Sequence, residues 1–190
     1  MLIINHRVNS IKDLENTPQD YGVEVDIRVY ADRLILNHEP FLEGENFEEF
    51  LKHYHHSFII FDIKCEGIER AVINLAEKYK IKKYFLLGVT PPSIFKLINQ
   101  GISKIAVRFS EFESIETCLN LKRKVDWVFV DNLTRLPLEK NAFKILKKYF
   151  KICIVSPELL KRDEIEKTKE ILKHNHVDAV LTDKIEMWAR

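Results

Sequence analysis

Two histidines lie at the ends of short apolar segments in the first third of the chain. His6 ends the apolar start of the sequence, and His38 follows the run Leu-Ile-Leu-Asn at residues 34–37. Imidazole titrates near neutral pH, so one histidine can accept a proton while the other donates one. The pair predicts general acid/base catalysis, and the sequence leaves open which histidine is the base and which is the acid.

Three carboxylates accompany these histidines. Glu24 and Asp26 stand two residues apart in a predicted strand, so their side chains share one face, which Arg28 continues. Asp62 directly follows the strongly apolar run at residues 58–61. A carboxylate is costly to bury in such a strand unless a cation or a hydrogen-bond donor compensates its charge. Three converging carboxylates would form an oxygen-rich site, so Glu24, Asp26 and Asp62 are predicted ligands of Ca²⁺ or Mg²⁺.

Three basic residues could bind the oxygens of a phosphate. Arg7 adjoins the first histidine, Lys64 lies two residues after the third carboxylate, and Arg108 comes near the end of a later apolar run. An arginine presents a planar fork to phosphate, and a lysine presents a point charge. For Arg108 the alternative is a salt bridge with Glu111 or Glu113. Basic groups, a carboxylate cluster and a histidine pair together indicate metal-assisted cleavage of a phosphodiester.

These residues need a scaffold that brings separate strands together. Short apolar runs rich in Val, Ile and Phe alternate with amphipathic segments, which is typical of βαβ units and a parallel sheet. Strands are predicted at residues 2–5, 22–29, 33–37, 58–63, 84–89, 104–109, 127–130, 151–155 and 178–181. Helices are predicted at residues 67–80, 92–99, 112–122, 138–149 and 162–174, with shorter ones at 47–54 and at 11–17, the last capped by Ser10.

Eight principal strands remain when residues 33–37 are taken as the hairpin partner of the preceding strand. Eight strands close a (β/α)8 barrel, in which the carboxyl ends of all strands meet at one mouth. The chain has 190 residues, fewer than the ~200 of small barrels. The prediction is therefore an α/β protein, a compact (β/α)8 TIM barrel with minimal loops and a single domain over residues 1–190. An open doubly wound sheet is the alternative, although the Gly-rich phosphate turn after the first strand is missing.

Four segments resemble the glycerophosphodiester phosphodiesterase family, within the barrel phosphodiesterases related to phosphatidylinositol phospholipase C. They are HRVNS, GVEVDIR, LILNHEP and FIIFDIK, all before residue 65. The resemblance implies a barrel fold and a divalent metal cofactor. It also implies that a neighbouring hydroxyl of the alcohol attacks phosphorus. By this resemblance the acid/base residues are His6 and His38, the metal ligands are Glu24, Asp26 and Asp62, and the phosphate-facing residues are Arg7 and Lys64.

The chain departs from the family pattern at several positions. Val8 stands where the family has a glycine, so this turn must be built differently. Asp62 replaces the usual glutamate, which shortens the side chain by one methylene. Leu14–Glu15–Asn16–Thr17 looks like a family segment that adds a carboxylate, but the helix that follows it in the family is missing here, so Glu15 is a weaker candidate. The short domain also leaves little wall for a large lipid.

The composition excludes several classes of protein. With 30 Lys and Arg against 29 Asp and Glu, the net charge of +1 gives no pull toward nucleic acid or anionic membranes. Hydrophobic residues at 46% exclude intrinsic disorder. Neither a signal peptide nor an apolar stretch of ~18 residues is visible, and three widely spaced cysteines indicate a reducing compartment. We expect a cytoplasmic protein that acts on a small phosphodiester, with no nucleic-acid partner and no membrane span. Exposed apolar helix faces would allow a homodimer.

Other polar residues are weaker candidates, because each has an ordinary structural explanation. Strand-end positions at the predicted mouth are occupied by Asp131, Ser156, Glu158, Thr182 and Asp183. The histidines at positions 53, 55 and 56 are expected at the surface. Cys65 lacks an activating base, so no nucleophilic role is predicted for it. Trp188 is expected to pack the last predicted helix against the barrel.

Two other functions fit parts of the pattern. The first is a catalytically inactive barrel that binds a phosphate or a sugar phosphate, which the short chain, Val8 and Asp62 favour. The second is proton abstraction beside a carbonyl with a metal-held enolate, which no specific residue supports. Paired histidines fit phosphoryl chemistry better.

Overall fold

The computed structural model describes residues 1–189, and its strands form a barrel. In chain order the strands are β1 (Leu2–Asn5), β2 (Gly22–Tyr30), β3 (Arg33–Leu36), β4 (Glu45–Asn46), β5 (Phe58–Ile63), β6 (Tyr84–Leu87), β7 (Ala106–Phe109), β8 (Trp127–Val130), β9 (Lys151–Val155) and β10 (Ala179–Thr182). The boundaries of β1, β5, β8 and β9 agree with the sequence prediction. The other predicted strands shift by one or two residues at an end.

Eight of these strands run parallel around the barrel. Parallel ladders join β1 to β2, β2 to β5 and β5 to β6, and further ladders join β7, β8, β9, β10 and β1 in that order. Between β6 and β7 the structure has one isolated parallel bridge, from Leu86 to Ile105. There the Leu86 N–H donates to the Lys104 carbonyl at 2.9 Å. The predicted (β/α)8 arrangement is thus confirmed, with one weak seam in its wall.

Helices follow most strands, and most of the predicted helices are shorter than expected, whereas the helix predicted at residues 92–99 keeps its length and is shifted by one residue. They are α1 (Ile11–Asn16), α2 (Phe47–Lys52), α3 (Glu69–Lys78), α4 (Pro91–Ile98), α5 (Ile115–Leu119), α6 (Lys140–Lys147), α7 (Ile165–Leu172) and α8 (Ile185–Trp188). Ser10 caps α1 as predicted, accepting from the Asp13 N–H at 3.0 Å. The prediction for residues 67–80 is too long because Gly67 and Lys80 at its ends have positive φ angles of 95° and 57°. The sequence analysis missed β4 and α8.

The core has two layers, as the alternation of side chains along each strand requires. A smaller cluster inside the barrel takes alternate residues from successive strands, including Ile4, Ile60, Phe85, Trp127 and Phe129. A larger cluster fills the space between the outer strand faces and the helices. The inward-facing positions continue along several strands to the mouth, where polar residues replace apolar ones.

The strand β2 extends beyond the barrel and forms an arm with β3. Residues Ile27 to Tyr30 pair with Leu36 to Arg33 in an antiparallel ladder. The connecting residues Ala31 and Asp32 both have positive φ angles, 46° and 62°. This is the geometry of a type I′ hairpin turn, whose twist matches that of the two strands. The arm confirms the predicted hairpin and carries His38 at its base.

None of the helices within residues 1–189 has both the length and the apolar character that crossing a bilayer requires.

Candidate active site

The eight residues singled out in the sequence come together at the carboxyl ends of the barrel strands. They line one cavity of about 180 Å³: His6, Arg7, Glu24, Asp26, His38, Asp62, Lys64 and Arg108. Strand alternation explains this convergence, because Asp62 and Arg108 each lie two residues beyond an inward-facing apolar residue of the same strand. The parallel barrel then brings these strand ends to one mouth.

The three carboxylates form the acidic cluster, defined as Glu24, Asp26 and Asp62. All three are buried, with at most 6% of each residue exposed. One oxygen from each lies within 4.8 Å of the others. Asp26 and Asp62 are directly opposite each other in the β2–β5 ladder. Burial and the two neighbouring aspartates raise the pKa of Glu24 well above its usual value, against the opposing effects of the Arg7 N–H and of Lys64.

Lys64 supplies the positive charge closest to the acidic cluster. Its Nζ lies 2.6 Å from Asp62 Oδ2 and 3.0 Å from Asp26 Oδ1. Burial lowers the pKa of Lys64, but the two carboxylates outweigh it and leave the pKa raised. With all groups ionised, three carboxylates and one ammonium leave a formal charge of −2. Buried oxygen ligands with this charge fit a divalent cation such as Ca²⁺ or Mg²⁺.

The turn after β1 positions Glu24. Arg7 adopts a left-handed conformation with φ of 53°, which costs free energy for a residue other than glycine. This conformation directs the Arg7 N–H at Glu24 Oε2, 2.8 Å away, and the Val8 N–H at the Glu24 carbonyl, also 2.8 Å away. Val8 is buried, with 1% exposed. The turn is therefore built with Val8 packed in the core and the left-handed residue one position earlier.

Asn9 is a site residue that the sequence analysis missed. Its Nδ2 donates to Asp26 Oδ2 at 2.7 Å, and its Oδ1 accepts from the Asp26 N–H at 2.8 Å. The amide thus binds both the backbone and the side chain of Asp26, which fixes the direction of that carboxylate. The signal available in the sequence was an amide residue within the HRVNS segment, close to His6 and Arg7.

His6 is oriented by a carboxylate that directly follows the last strand of the barrel. Its Nδ1 lies 3.0 Å from Asp183 Oδ1, and the His6 side chain is 20% exposed. Glu158 supports this residue, since its Oε1 accepts from the Asp183 N–H at 3.3 Å and from the Thr182 hydroxyl. The Ser156 hydroxyl also donates to Glu158. These four weaker candidates therefore form a network beneath His6.

His38 is held at the other side of the mouth by the arm. Its Nδ1 lies 2.7 Å from Glu39 Oε1, and the hydrogen bond to His38 lowers the pKa of Glu39. Arg28 donates from Nε and Nη2 to the His38 carbonyl, at 3.1 and 2.8 Å. Arg28 also reaches the Lys64 carbonyl at 3.4 Å. This arginine therefore ties the arm to the end of β5.

Arg108 enters the cavity from β7 and is paired with Asp131 from the end of β8. Its Nη1 lies 2.6 Å from Asp131 Oδ2. The predicted alternative partners of Arg108 were Glu111 and Glu113, and the carboxylate that its guanidinium contacts is that of Asp131 instead. Burial raises the pKa of Asp131, and Arg108 opposes that shift. Asp131 also lines the cavity.

Other sequence candidates lie elsewhere. Glu15 forms an ion pair with His53 at 3.4 Å and does not line the cavity. Trp188 belongs to α8, and its Nε1 donates to the Ser156 hydroxyl at 2.8 Å. Lys169 of α7 lies over the Trp188 ring, 5.9 Å from its centroid. Trp188 therefore packs against the last predicted helix and the barrel, as expected, from a helix that the sequence analysis missed.

Solved structures resemble this fold over the whole chain. A glycerophosphoryl diester phosphodiesterase from Parabacteroides distasonis has a TM-score of 0.69 at 14% identity, covering 99% of this chain and 85% of its own. A phosphodiesterase from Oleispira antarctica, solved with the product sn-glycerol-3-phosphate, has a TM-score of 0.71 at 13% identity, with coverages of 100% and 96%. A glycerol uptake operon antiterminator-related protein from Thermotoga maritima has a TM-score of 0.57 at 18% identity, with coverages of 100% and 98%.

These likenesses establish the fold and leave the function to be argued from the site, since one fold hosts many functions. No protein-family model matches the chain, and no curated protein matches it either. The phosphodiesterases among the similar structures agree with the family that the four sequence segments indicate. The chain thus has the barrel fold of the glycerophosphodiester phosphodiesterases that its motifs resemble.

Proposed function

We propose that this protein is a metal-dependent phosphodiester hydrolase, similar to the glycerophosphodiester phosphodiesterases, which cleaves a small polyol or sugar phosphodiester. The observation that carries the proposal is the convergence of the acidic cluster and two imidazoles on one cavity. Each imidazole has a carboxylate at its Nδ1, and neither Nε2 has a hydrogen-bond partner within residues 1–189, so both can exchange a proton with a substrate.

Glu24, Asp26 and Asp62 would hold a divalent cation, Ca²⁺ or Mg²⁺. When bound, such a cation would neutralise phosphate oxygens and lower the pKa of a nearby hydroxyl. The cluster needs this charge because Lys64 compensates only one of its three carboxylates. Asn9 and the Arg7 N–H hold two of those carboxylates in place.

Arg7, Lys64 and Arg108 are proposed to bind the phosphate. The guanidinium of Arg108 is directed into the cavity by Asp131, which fixes its orientation before substrate arrives. Lys64 lies between Asp26 and Asp62, so it can contact a phosphate oxygen beside the metal position. A diester needs such charges because its negative charge shifts toward the leaving oxygen as the reaction proceeds.

The proposed reaction begins with a hydroxyl next to the phosphoester. One histidine removes its proton, the hydroxyl oxygen forms a bond to phosphorus, and the bond from phosphorus to the leaving alcohol breaks. The second histidine protonates that alkoxide. A cyclic phosphate results, and water then opens it with the two histidines in reversed roles. Asp183 and Glu39 are positioning residues for His6 and His38, respectively.

The test measures hydrolysis of glycerophosphodiesters with Ca²⁺, Mg²⁺ or Mn²⁺, and with a chelator instead. Bis(p-nitrophenyl) phosphate has no hydroxyl beside its phosphate, so it serves as a diester that should not be cleaved. We expect turnover that requires a divalent cation and that His6→Ala or His38→Ala reduces by on the order of 10²–10⁴. Failure of every cation to support turnover, together with an unchanged rate in His6→Ala, would refute the proposal.

A second candidate is an inactive barrel that binds a phosphate compound. It is favoured by the contact of Lys64 with both aspartates, which places an ammonium where a cation could otherwise bind. This candidate predicts that sn-glycerol 3-phosphate raises the melting temperature while no diester is hydrolysed under any metal condition.

A further inference from the structure

A second cavity, larger than the candidate active site, lies between α4 and α5. Its volume is about 600 Å³, against about 180 Å³ for the cavity at the mouth. We call it the groove, and its apolar wall is formed chiefly by Val89, Ile94, Phe95, Ile98, Phe112 and Leu121. Cavities that bind small molecules typically measure about 300–1,000 Å³. The groove falls in this range, whereas the mouth cavity holds little more than a phosphate and its nearest atoms.

The groove adjoins the candidate active site through the weak seam of the barrel. Beyond the single bridge between Leu86 and Ile105, the ends of β6 and β7 are not paired in a ladder within the described residues. Gly88 lines the groove at this point, and a Cβ there would lie 2.6 Å from Asp62 Oδ1. Arg108 lines both cavities. A ligand whose phosphate contacts Arg108 can therefore extend directly into the groove.

Two aromatic side chains of the groove are exposed to solvent. Phe95 is 64% exposed and Phe112 is 77% exposed. Large apolar side chains clustered at the edge of an apolar cavity indicate a binding surface, because leaving them in water forgoes the free energy of burial. The charged residues that line the groove are Arg108, Glu113 and Lys124, and of these Arg108 also lines the cavity at the mouth. The groove thus has a largely apolar wall and shares the positive charge of Arg108 with the mouth.

We infer, on the basis of the proposed function, that the substrate is an amphiphilic phosphodiester with a single hydrocarbon chain. Its phosphate lies at Arg108 and the acidic cluster, and its chain lies in the groove between α4 and α5. From the short chain, little protein wall is expected to contact a large lipid. The wall comes instead from two helices that stand apart where the barrel seam is weak.

The first test compares two phosphodiesters with the same choline headgroup. Dodecylphosphocholine carries a twelve-carbon chain, and glycerophosphocholine carries glycerol in its place. Dodecylphosphocholine has no hydroxyl beside its phosphate, so under the proposed mechanism it binds without being cleaved. Calorimetric titration below its critical micelle concentration should show much tighter binding of the chain-bearing compound. Within a series of shorter chains, each added methylene should tighten binding about fourfold while the groove has room. Equal affinity for both compounds would overturn the inference.

Three variants test whether the hydrocarbon chain of the ligand binds in the groove. Thr117 lines the groove from α5 and is exposed, so Thr117→Trp should fill the groove without disturbing the core. Phe95→Ala removes exposed apolar surface. Both should weaken dodecylphosphocholine binding by about tenfold or more and leave glycerophosphocholine binding unchanged. Glu116→Trp adds the same bulk on the same helix outside the groove, and it should bind like the parent protein.

Two further outcomes would also count against the groove as a chain site. Tight binding of dodecylphosphocholine that neither Thr117→Trp nor Phe95→Ala weakens would place the chain elsewhere. A dimer in sedimentation that Thr117→Trp dissociates would assign the groove to a second copy of this chain. Each result overturns the inference and leaves the proposed hydrolase untouched.

Activity separates this inference from the proposed function. With a divalent cation, 1-dodecanoyl-glycerophosphocholine should be cleaved with a lower KM than glycerophosphocholine, and Thr117→Trp should raise that KM while leaving kcat for glycerophosphocholine unchanged. Chain-dependent binding without cleavage of either compound would refute the hydrolase while supporting the groove as a chain site. Cleavage of both with equal KM would support the hydrolase and refute the groove.

Discussion

The two sides of the barrel mouth differ in how their charges are balanced. On the side formed by β1, β2 and β5, three buried carboxylates share one ammonium, that of Lys64. On the side formed by β7 and β8, Arg108 faces one carboxylate, that of Asp131. The first side carries an excess of negative charge that burial makes costly, and the second is close to neutral.

This difference indicates what each side is built to receive. An excess of buried carboxylate is stabilised by a cation from outside the chain, which fits a metal position. In the pair formed by Arg108 and Asp131, the carboxylate keeps the guanidinium ordered and leaves part of it available to an anion. The apolar groove begins on the balanced side. A phosphodiester would thus lie across the mouth, between a cation-binding side and an apolar side.

The largest expected effect comes from removing one charge of the acidic cluster. Glu24→Gln keeps an oxygen to accept from the Arg7 N–H and removes the negative charge. Because a metal contributes several kcal/mol of charge stabilisation in the transition state, kcat should fall by on the order of 10³. Steady-state kinetics with a divalent cation checks this. Glu15→Gln is the matched control, since Glu15 pairs with His53 outside the cavity, and its kcat should not change.

Cation binding should also be visible as stability. A ligand present at a hundred times its Kd stabilises the folded state by about 2.7 kcal/mol, which for a chain of this size corresponds to about 5–10 °C in Tm. We expect Ca²⁺ or Mg²⁺ to produce such a shift and K⁺ not to. Thermal denaturation of Asp62→Asn should show a much smaller shift, and an equal shift would place the cation elsewhere.

Substitutions of Arg108 test whether the side formed by β7 and β8 binds the phosphate. Hydrogen bonds to charged groups contribute about 1.5–3 kcal/mol, so Arg108→Ala should lower kcat/KM by about 10–100-fold. Arg108→Lys should restore part of this, because lysine keeps the charge and loses the planar fork. The control is Arg135→Ala, which removes an exposed arginine paired with Glu139. A loss in Arg135→Ala equal to that in Arg108→Ala would show that general charge, and not position, matters.

The smallest effect concerns pH and contrasts two glutamates. Burial raises the pKa of Glu111, but its own N–H and the hydrogen bonds from Thr134 and Arg135 outweigh this and lower the pKa to about 2, from an ordinary value of 4.5. A lowered pKa stabilises the folded state above the ordinary value, and that contribution is lost as the pH falls toward 2.

The charge of Glu24 affects the stability of the folded state with the opposite sign, because its pKa is raised. Because the pKa of Glu111 is lowered, we expect Glu111→Gln to lower Tm by a few degrees at pH 7. The difference in Tm from the parent protein should shrink as the pH falls from 5 to 2. Melting curves across this range measure it. A difference that stays constant with pH would show that Glu111 acts through shape and not through its charge.

Much of the site could be predicted because it depends on strand alternation. Glu24, Asp26 and Asp62 face inward because strand alternation puts them on the same side of the sheet as the inward-facing Ile60 of β5, and parallel strands bring their ends together. The histidines stand where β1 and the arm end. Predicting these positions requires only the residue types and the two-residue alternation of a strand, and both can be read from the sequence.

What the sequence missed depends on contacts between distant segments. The two hydrogen bonds between Asn9 and Asp26 require the left-handed turn at Arg7, which no residue type there signals. The Asp183 carboxylate reaches His6 only because β10 closes the barrel against β1. The groove arises where the pairing between β6 and β7 stops after a single bridge. How far two strands pair cannot be predicted from the sequence of either strand alone.

The arm formed by β2 and β3 has a practical consequence. Arg28 anchors its base through the His38 carbonyl, whereas its turn at Ala31 and Asp32 is exposed. The chemistry and the loop tip are thus mechanically separate, and extra residues at the tip would leave the imidazole where it is. A fluorescent label or a short peptide tag can therefore be inserted at Ala31 and Asp32 to attach or detect the protein while the active-site residues keep their positions.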